Sequence, residues 1–234
     1  MKTVKFLKTA VIILILSLSS CSHIDNFDDY NIAYKKVTFI TKVADSKSDA
    51  KVKFGDGSFG VDKNITERII SAIGSELLEA EVEEKLGKII NPDEVAGTIS
   101  WDIKSNLQTF TNIIVVDSLL NNPDIVAETN LLGFRLVSSA NGIMSYITVE
   151  FTLTDMESGK YIWKNKETIK RYLKESITEH IPERTIRKAG SIINAIRLIE
   201  MSEDEIKQAI KLSAEEVSSE ILKILRTDIS ESAK

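Results

Sequence analysis

The stretch GIMSYITVEFTLTDMESGKYIWKNKETIKRY, from Gly142 to Tyr172, decides the fold. Ile143, Ile147, Val149, Phe151 and Leu153 alternate on one face, the mark of a strand with one side buried. MESG then reverses the chain. Asp155 and Gly159 supply turn chemistry, and Trp163 in KYIWKNKETIKRY brings a large apolar area with a single indole donor. Upstream, TNLLGFRLVSS is another strand, joined through ANG, so the three form an antiparallel meander. Asp155, Gly159 and Trp163 are read as fold determinants.

Working outward, KVTFITKVA alternates as a first strand. DSKSDAKVKFGDGSFGVDK is a polar, glycine-bearing loop with a short strand at Lys51 to Phe54. A helix is expected from Asn64, with Ile65, Ile69, Ala72, Ile73, Leu77 and Ala80 on one face and Asp62 or Asn64 as its cap. In NPDEVAGTISWDIKSNLQTF, Val95, Ile99, Ile103 and Leu107 recur every four residues, while Ile99, Trp101 and Ile103 also alternate. Asn91 as cap and Pro92 in the first turn favour the helix. TNIIVVD is a short strand of the buried type, and SLLNNPDIVAE a short helix or turn. PERTIRKAGSIINAIRLIE and SEDEIKQAIKLSAEEVSSEILKILRT are two helices, the second opened by a capping box from Ser202 to Glu205. Its stripe of Ile206, Ile210, Val217, Ile221 and Ile224 either packs on the protein's own domain or offers a face to a partner or to another copy. The expected fold is α/β (α+β), a small mixed sheet with the meander, flanked by helices and followed by a C-terminal helical extension.

The start of the chain has a different logic. Lys2, Lys5 and Lys8 precede the apolar AVIILILSLSS, which ends in small residues, so 1–20 reads as a secretory signal peptide in three regions. The run is shorter than the ~20 residues a membrane-crossing helix needs. Cys21 follows, the single cysteine of the 234 residues. It can make no internal disulfide, and with only His23 nearby it builds no zinc site. Leu18, Ser19, Ser20 and Cys21 stand in the order of a bacterial lipobox, and the segment resembles the leader of bacterial lipoproteins. That resemblance implies cleavage before Cys21, a thioether-linked diacylglycerol, and fatty acylation (palmitate) of the new amino terminus. An ordinary signal peptide that happens to contain a cysteine is the alternative. SHIDNFDDYNIAYKK is polar, acidic and aperiodic, so residues 21–35 are expected to form a lipidated tether, reaching roughly 50 Å if fully extended at ~3.3–3.6 Å per residue. The domain is then expected over 36–181, the helical extension over 182–227, and a frayed tail over 228–234.

Composition excludes some functions. A formal charge of −5 and a pI near 5.3 speak against a nucleic-acid partner, which needs a concentrated basic face. GDGSFG places Gly55, Gly57 and Gly60 in the spacing of a dinucleotide-binding turn. No second strand ending in an acid follows about 20 residues on, and Asp56 and Asp62 would repel phosphate. No catalytic residues, metal ligands or cofactor are expected. His23 and His180 stand apart, no serine has a recognisable partner, and Glu76, Glu79, Glu81, Glu83 and Glu84 form a solvated helix face.

TLTDMESGKYIWKNKETIKR, with Asp155, Gly159 and Trp163 in place, resembles the closing hairpin of the LpoB-type lipoproteins that activate penicillin-binding proteins, and of the related curli-secretion lipoprotein CsgG. Val116, Asp117, Leu132 and Gly133 are similar to that family's earlier strands, and the resemblance spans roughly 37–172. It implies a lipid-anchored accessory regulator of cell-envelope (peptidoglycan) synthesis, at the outer membrane and facing the periplasm. The implied partners are membrane lipid, through acylated Cys21, and an envelope protein such as a penicillin-binding protein. The alternative it implies is a subunit of an oligomeric CsgG-like secretion channel, with self-association. A pore would need strands of about 9–11 residues across the bilayer, for which only Gly97 to Thr111 offers itself. The family's long tether is missing here.

Overall fold

The computed structural model describes residues 23–44, 84–139, 142–175, 194 and 196–232. Among these residues six strands are formed: β1 (Ile24–Asp25), β2 (Lys36–Val43), β3 (Ile114–Val115), β4 (Ile125–Ser139), β5 (Gly142–Asp155) and β6 (Tyr161–Glu175). They form one sheet in the order β1-β6-β5-β4-β2-β3. β4, β5 and β6 are the antiparallel meander, β1 adds antiparallel to β6, and β2 runs parallel to both β3 and β4.

Among the described residues, two long helices cover one face. α1 (Pro92–Thr111) starts where Asn91 accepts a bond from the Asp93 N–H at 3.0 Å, with Pro92 in the first turn and Asp93 and Glu94 facing the helix dipole. Val95, Ile99, Ile103 and Leu107 are its buried stripe, so the four-residue period prevails over the alternation of Ile99, Trp101 and Ile103, and Trp101 faces solvent. Gly97 to Thr111 is therefore core-packed helix. α2 (Glu203–Ser232) opens with the capping box: the Glu205 N–H donates to Ser202 Oγ at 3.2 Å and the Ser202 N–H to Glu205 Oε2 at 2.9 Å. α1 packs on β2 and β4, α2 on β5 and β6, and the two helices on each other.

The meander supplies the sheet side of the core. Ile143, Ile147, Val149, Phe151 and Leu153 of β5 are all buried. In β4 the pairing slips between Leu131 and Gly133, leaving Leu132 as an extra residue. Because strand side chains alternate, this one-residue bulge moves Phe134 and Leu136 onto the face that carries Leu131.

Three expectations need correction. First, 23–35 is no free tether. β1 pairs with β6, a 3-10 turn follows at Phe27–Asp29, and Phe27 and Ile32 are buried in the core. Two isolated large apolar side chains suffice to dock an otherwise polar segment, since each removes about 1.5–3 kcal/mol of exposed apolar surface. Second, of the two expectations for the C-terminal stripe the structure has packing on the protein's own domain, and 228–232 is helix where a frayed tail was expected. Ile206, Ile210, Val217, Ile221 and Leu225 lie in the same core as the sheet, and the helix runs on to Ser232. Third, Ile125 to Glu128 belong to β4; the short turn that precedes them is a 3-10 turn at Leu119–Asn121. The lipobox, Cys21, GDGSFG, the helix from Asn64 as far as residue 83, and His180 lie outside the described residues.

Candidate functional site

The end of the meander and the start of the chain meet around Trp163. The β5–β6 turn is fastened by Asp155, whose carboxylate accepts from the Ser158 N–H at 2.8 Å and the Ser158 hydroxyl at 2.5 Å. Those bonds, the hydroxyl first, hold the Asp155 carboxyl below the usual carboxylate range. Gly159 turns the backbone through φ +69°, a conformation that a side chain disfavours, and its N–H reaches Asp155 O at 2.9 Å. The Met156 N–H then donates to Asp124 O at 2.9 Å, tying the turn to the entry of β4.

Past the turn, Trp163 is fully buried, with its ring 6.0 Å from that of Phe151. A buried indole needs an acceptor. Asp228, on the last turns of α2, provides it: Trp163 Nε1 donates to Asp228 Oδ2 at 2.7 Å. The same oxygen lies 3.3 Å from His23 Nε2, and the His23 ring meets Trp163 edge to face at 5.7 Å. One carboxylate thus holds the beginning of the described chain, the closing strand and the end of the last helix together. β1 continues the grip: Ile24 and Asp25 pair with Lys164 and Trp163, the Asn26 N–H donates to Ile162 O at 2.9 Å, and Asn26 Nδ2 to Tyr161 O at 2.8 Å. Chemically this cluster is a clasp. Among the described residues no group of acids, histidines or cysteines has the arrangement of a metal site.

A second polar cluster lies between α1 and α2. Ser218 Oγ donates to Asp102 Oδ2 at 3.1 Å, Arg226 donates to Asn106 Oδ1 at 3.2 Å, and the Arg226 guanidinium sits 4.7 Å from the Phe110 ring centre. Burial pushes the Asp102 carboxyl up, partly offset by the Ser218 bond. Its groove is open and lined by Asp102, Asn106, Ser218, Lys223 and Arg226. It locks the two helices and presents no reactive pair.

Of the residues singled out in the sequence, Asp155 and Gly159 form the turn and Trp163 the heart of the clasp. Asp228 and His23 were not foreseen as its partners. An aspartate in a polar terminus and a histidine beside a lipobox carry no spacing signal; the spacing of Ile221, Leu225 and Ile229 is a signal for the longer helix that the reading of the stripe did not use.

No protein-family model matches the chain, and neither does any curated protein. Among solved structures it is similar to a variant PelC dodecamer from Paraburkholderia phytofirmans, with 11% identity, 77% of this chain and 90% of that chain covered, and a TM-score of 0.34. It is also similar to protein XCC0632 from Xanthomonas campestris, of the family model DUF330, with 8% identity, 82% and 89% covered, and a TM-score of 0.32. A third is the hypothetical protein CT253 from Chlamydia trachomatis, with 7% identity, 76% and 98% covered, and a TM-score of 0.32. TM-scores this low carry no argument about this chain.

Proposed function

We propose that this protein is a membrane-anchored bacterial lipoprotein that acts by protein contact, as an accessory regulator of cell-envelope assembly with a penicillin-binding protein as its partner. The observation that carries the reading is the ordered run Leu18, Ser19, Ser20, Cys21 after a basic and apolar leader. The choice of partner rests on the LpoB-like hairpin ending at Trp163. The docked N-terminal segment refines the reading: with the chain held against the sheet from Ile24 on, the domain works at the surface of its own membrane, within reach of partners anchored there. Cys21 serves as an attachment point, where several acyl chains contribute ~0.8 kcal/mol per buried methylene.

The test joins two measurements. Cells carrying the wild type or Cys21→Ala are labelled with a palmitate analogue and fractionated; label on the wild type alone is expected, and equal labelling sinks the anchor. Crosslinking in intact cells, followed by mass spectrometry and a glycan-polymerisation assay, should capture a synthase that the protein stimulates. A detergent-stable ring with no synthase attached would overturn the regulator in favour of a channel subunit.

A further inference from the structure

The sheet has a second face. α1 and α2 pack on the side of Ile147, Val149 and Phe151, so the residues that alternate with these point the other way. Three of them stand in one row across β4, β5 and β6: Arg135 pairs with Tyr146, and Tyr146 with Lys170. The Arg135 guanidinium lies 4.5 Å and the Lys170 ammonium 5.6 Å from the Tyr146 ring centre, so the ring draws two cations from either side. On β6 the exposed Lys166 and Tyr172 share this face with Lys170, and Tyr172 is 50% exposed. Elsewhere on the face the charges cancel, as Lys42 meets Glu128 at 2.6 Å and Lys164 meets Glu150 at 2.9 Å. Arg135, Lys166 and Lys170 have no carboxylate partner among the described residues. In a chain of formal charge −5, this gathering of unpaired cations beside two tyrosines reverses the sign locally.

The occupant follows from the direction in which the chain leaves the fold. Ile24 pairs with Lys164 and Asp25 with Trp163 in antiparallel register, so from Asp25 back to His23 the chain heads the way β6 runs on, toward Lys166 and Lys170. Only two residues separate His23 from Cys21, about 7 Å of extended chain. We propose that this part of the sheet is a membrane-contacting surface, on which Arg135, Lys166 and Lys170 meet the phosphates of anionic lipid headgroups in the bilayer that holds Cys21, with Tyr146 and Tyr172 at the interface. The proposal rests on the anchored-lipoprotein reading and says how the anchored domain lies. Each cation near an anionic surface strengthens the attraction about fivefold. At 0.1 M salt a charge is felt over only ~10 Å, so a local patch attracts lipid although the whole chain is acidic. The long stems of lysine and arginine let their charges reach the phosphates while tyrosine rings occupy the headgroup level.

The test uses the full chain with Thr168→Trp, which places an indole between Lys166 and Lys170 on the same face. It is reconstituted in vesicles of phosphatidylglycerol or of phosphatidylcholine, each holding the same share of a lipid with a nitroxide on its headgroup. The two natural tryptophans give the baseline in the unsubstituted chain: Trp163 is buried and Trp101 lies on α1. The emission of the third tryptophan is expected to be lost in phosphatidylglycerol and kept in phosphatidylcholine. Arg135→Gln, Lys166→Gln and Lys170→Gln together are expected to restore it, as is about 1 M salt, which cuts the Debye length to ~3 Å. Near-ultraviolet circular dichroism, unchanged across the set, verifies that each variant is folded. Equal emission in the two lipids, or quenching that survives the three substitutions, overturns the proposal. So does shielding of residue 168 from acrylamide without nitroxide quenching, which would put a second copy on the patch. Mass spectrometry of the amino-terminal peptide separately reads whether Cys21 carries lipid. Quenching in phosphatidylglycerol with an unmodified Cys21, held by an uncleaved leader, supports the contact surface and sinks the lipidation. A lipidated chain whose residue 168 stays bright in phosphatidylglycerol does the reverse.

Discussion

At the scale of single residues, Trp163 and Asp228 divide the labour of the clasp. Trp163→Ala removes a fully buried ring and should cost on the order of 3–5 kcal/mol in denaturant unfolding. Asp228→Ala leaves the indole N–H without its acceptor and should cost about 1–3 kcal/mol. A cycle with Trp163→Phe should show the two coupled, because Phe retains the packing and has no donor. Two other carboxyls set opposite pH dependences. The depressed Asp155 carboxyl contributes stability that is present above its unfolded pKa of ~3.9 and lost as pH falls through the lower folded value. Asp155→Asn should therefore flatten the acid limb of a stability profile measured below about pH 4. Asp102 is raised, so its contribution is full below ~3.9 and lost as pH rises through the folded value; Asp102→Asn, which still accepts from Ser218, should be more stable than wild type at neutral pH by less than ~1 kcal/mol, since the group is largely solvated. Thermal melts at pH 4 and pH 7 check the sign. Trp163 was legible as a buried ring because it stands in an alternating strand, while its acceptor was not, since hydrogen-bond partners distant in sequence leave no periodicity to read.

At the scale of elements, the parts with strong period and cap chemistry were legible and the docked irregular segment was not. Asn91-Pro92 and Ser202 to Glu205 announced α1 and α2 through local hydrogen bonds, which depend on neighbours in sequence alone. Ser202→Ala should accordingly cost about 0.5–2 kcal/mol. Phe27 and Ile32, five residues apart in an acidic stretch, match neither helical nor strand spacing, so nothing short of the folded surface reveals that they find a site. The bulge at Leu132 was hidden for the same reason: it depends on register with β5. Phe27→Ala should free the segment, seen as protease sensitivity between 24 and 33, with a stability loss of ~3–5 kcal/mol at most, the range for a buried aromatic.

At the scale of the whole molecule, fold class, meander and helical covering were readable because they rest on buried stripes. The reach of the domain was not, because it depends on whether a dozen polar residues find a surface. With the first strand docked, the distance between any anchor at Cys21 and the sheet is set by two residues. Inserting a flexible Gly-Ser linker of about ten residues between Ser22 and His23 should leave the unfolding midpoint unchanged while adding roughly 15–20 Å of mean reach.

The clasp also imposes an order of events. His23 and β1 need Trp163 and Asp228 as partners, and Asp228 lies on the last turns of α2. A chain emerging amino terminus first cannot seat its first strand until almost everything behind it has arrived. During that interval residues 23–32 lack the partners that seat them in the fold. Completion of the final helix ends it, so the docking of the front of the described chain is timed by the delivery of its back.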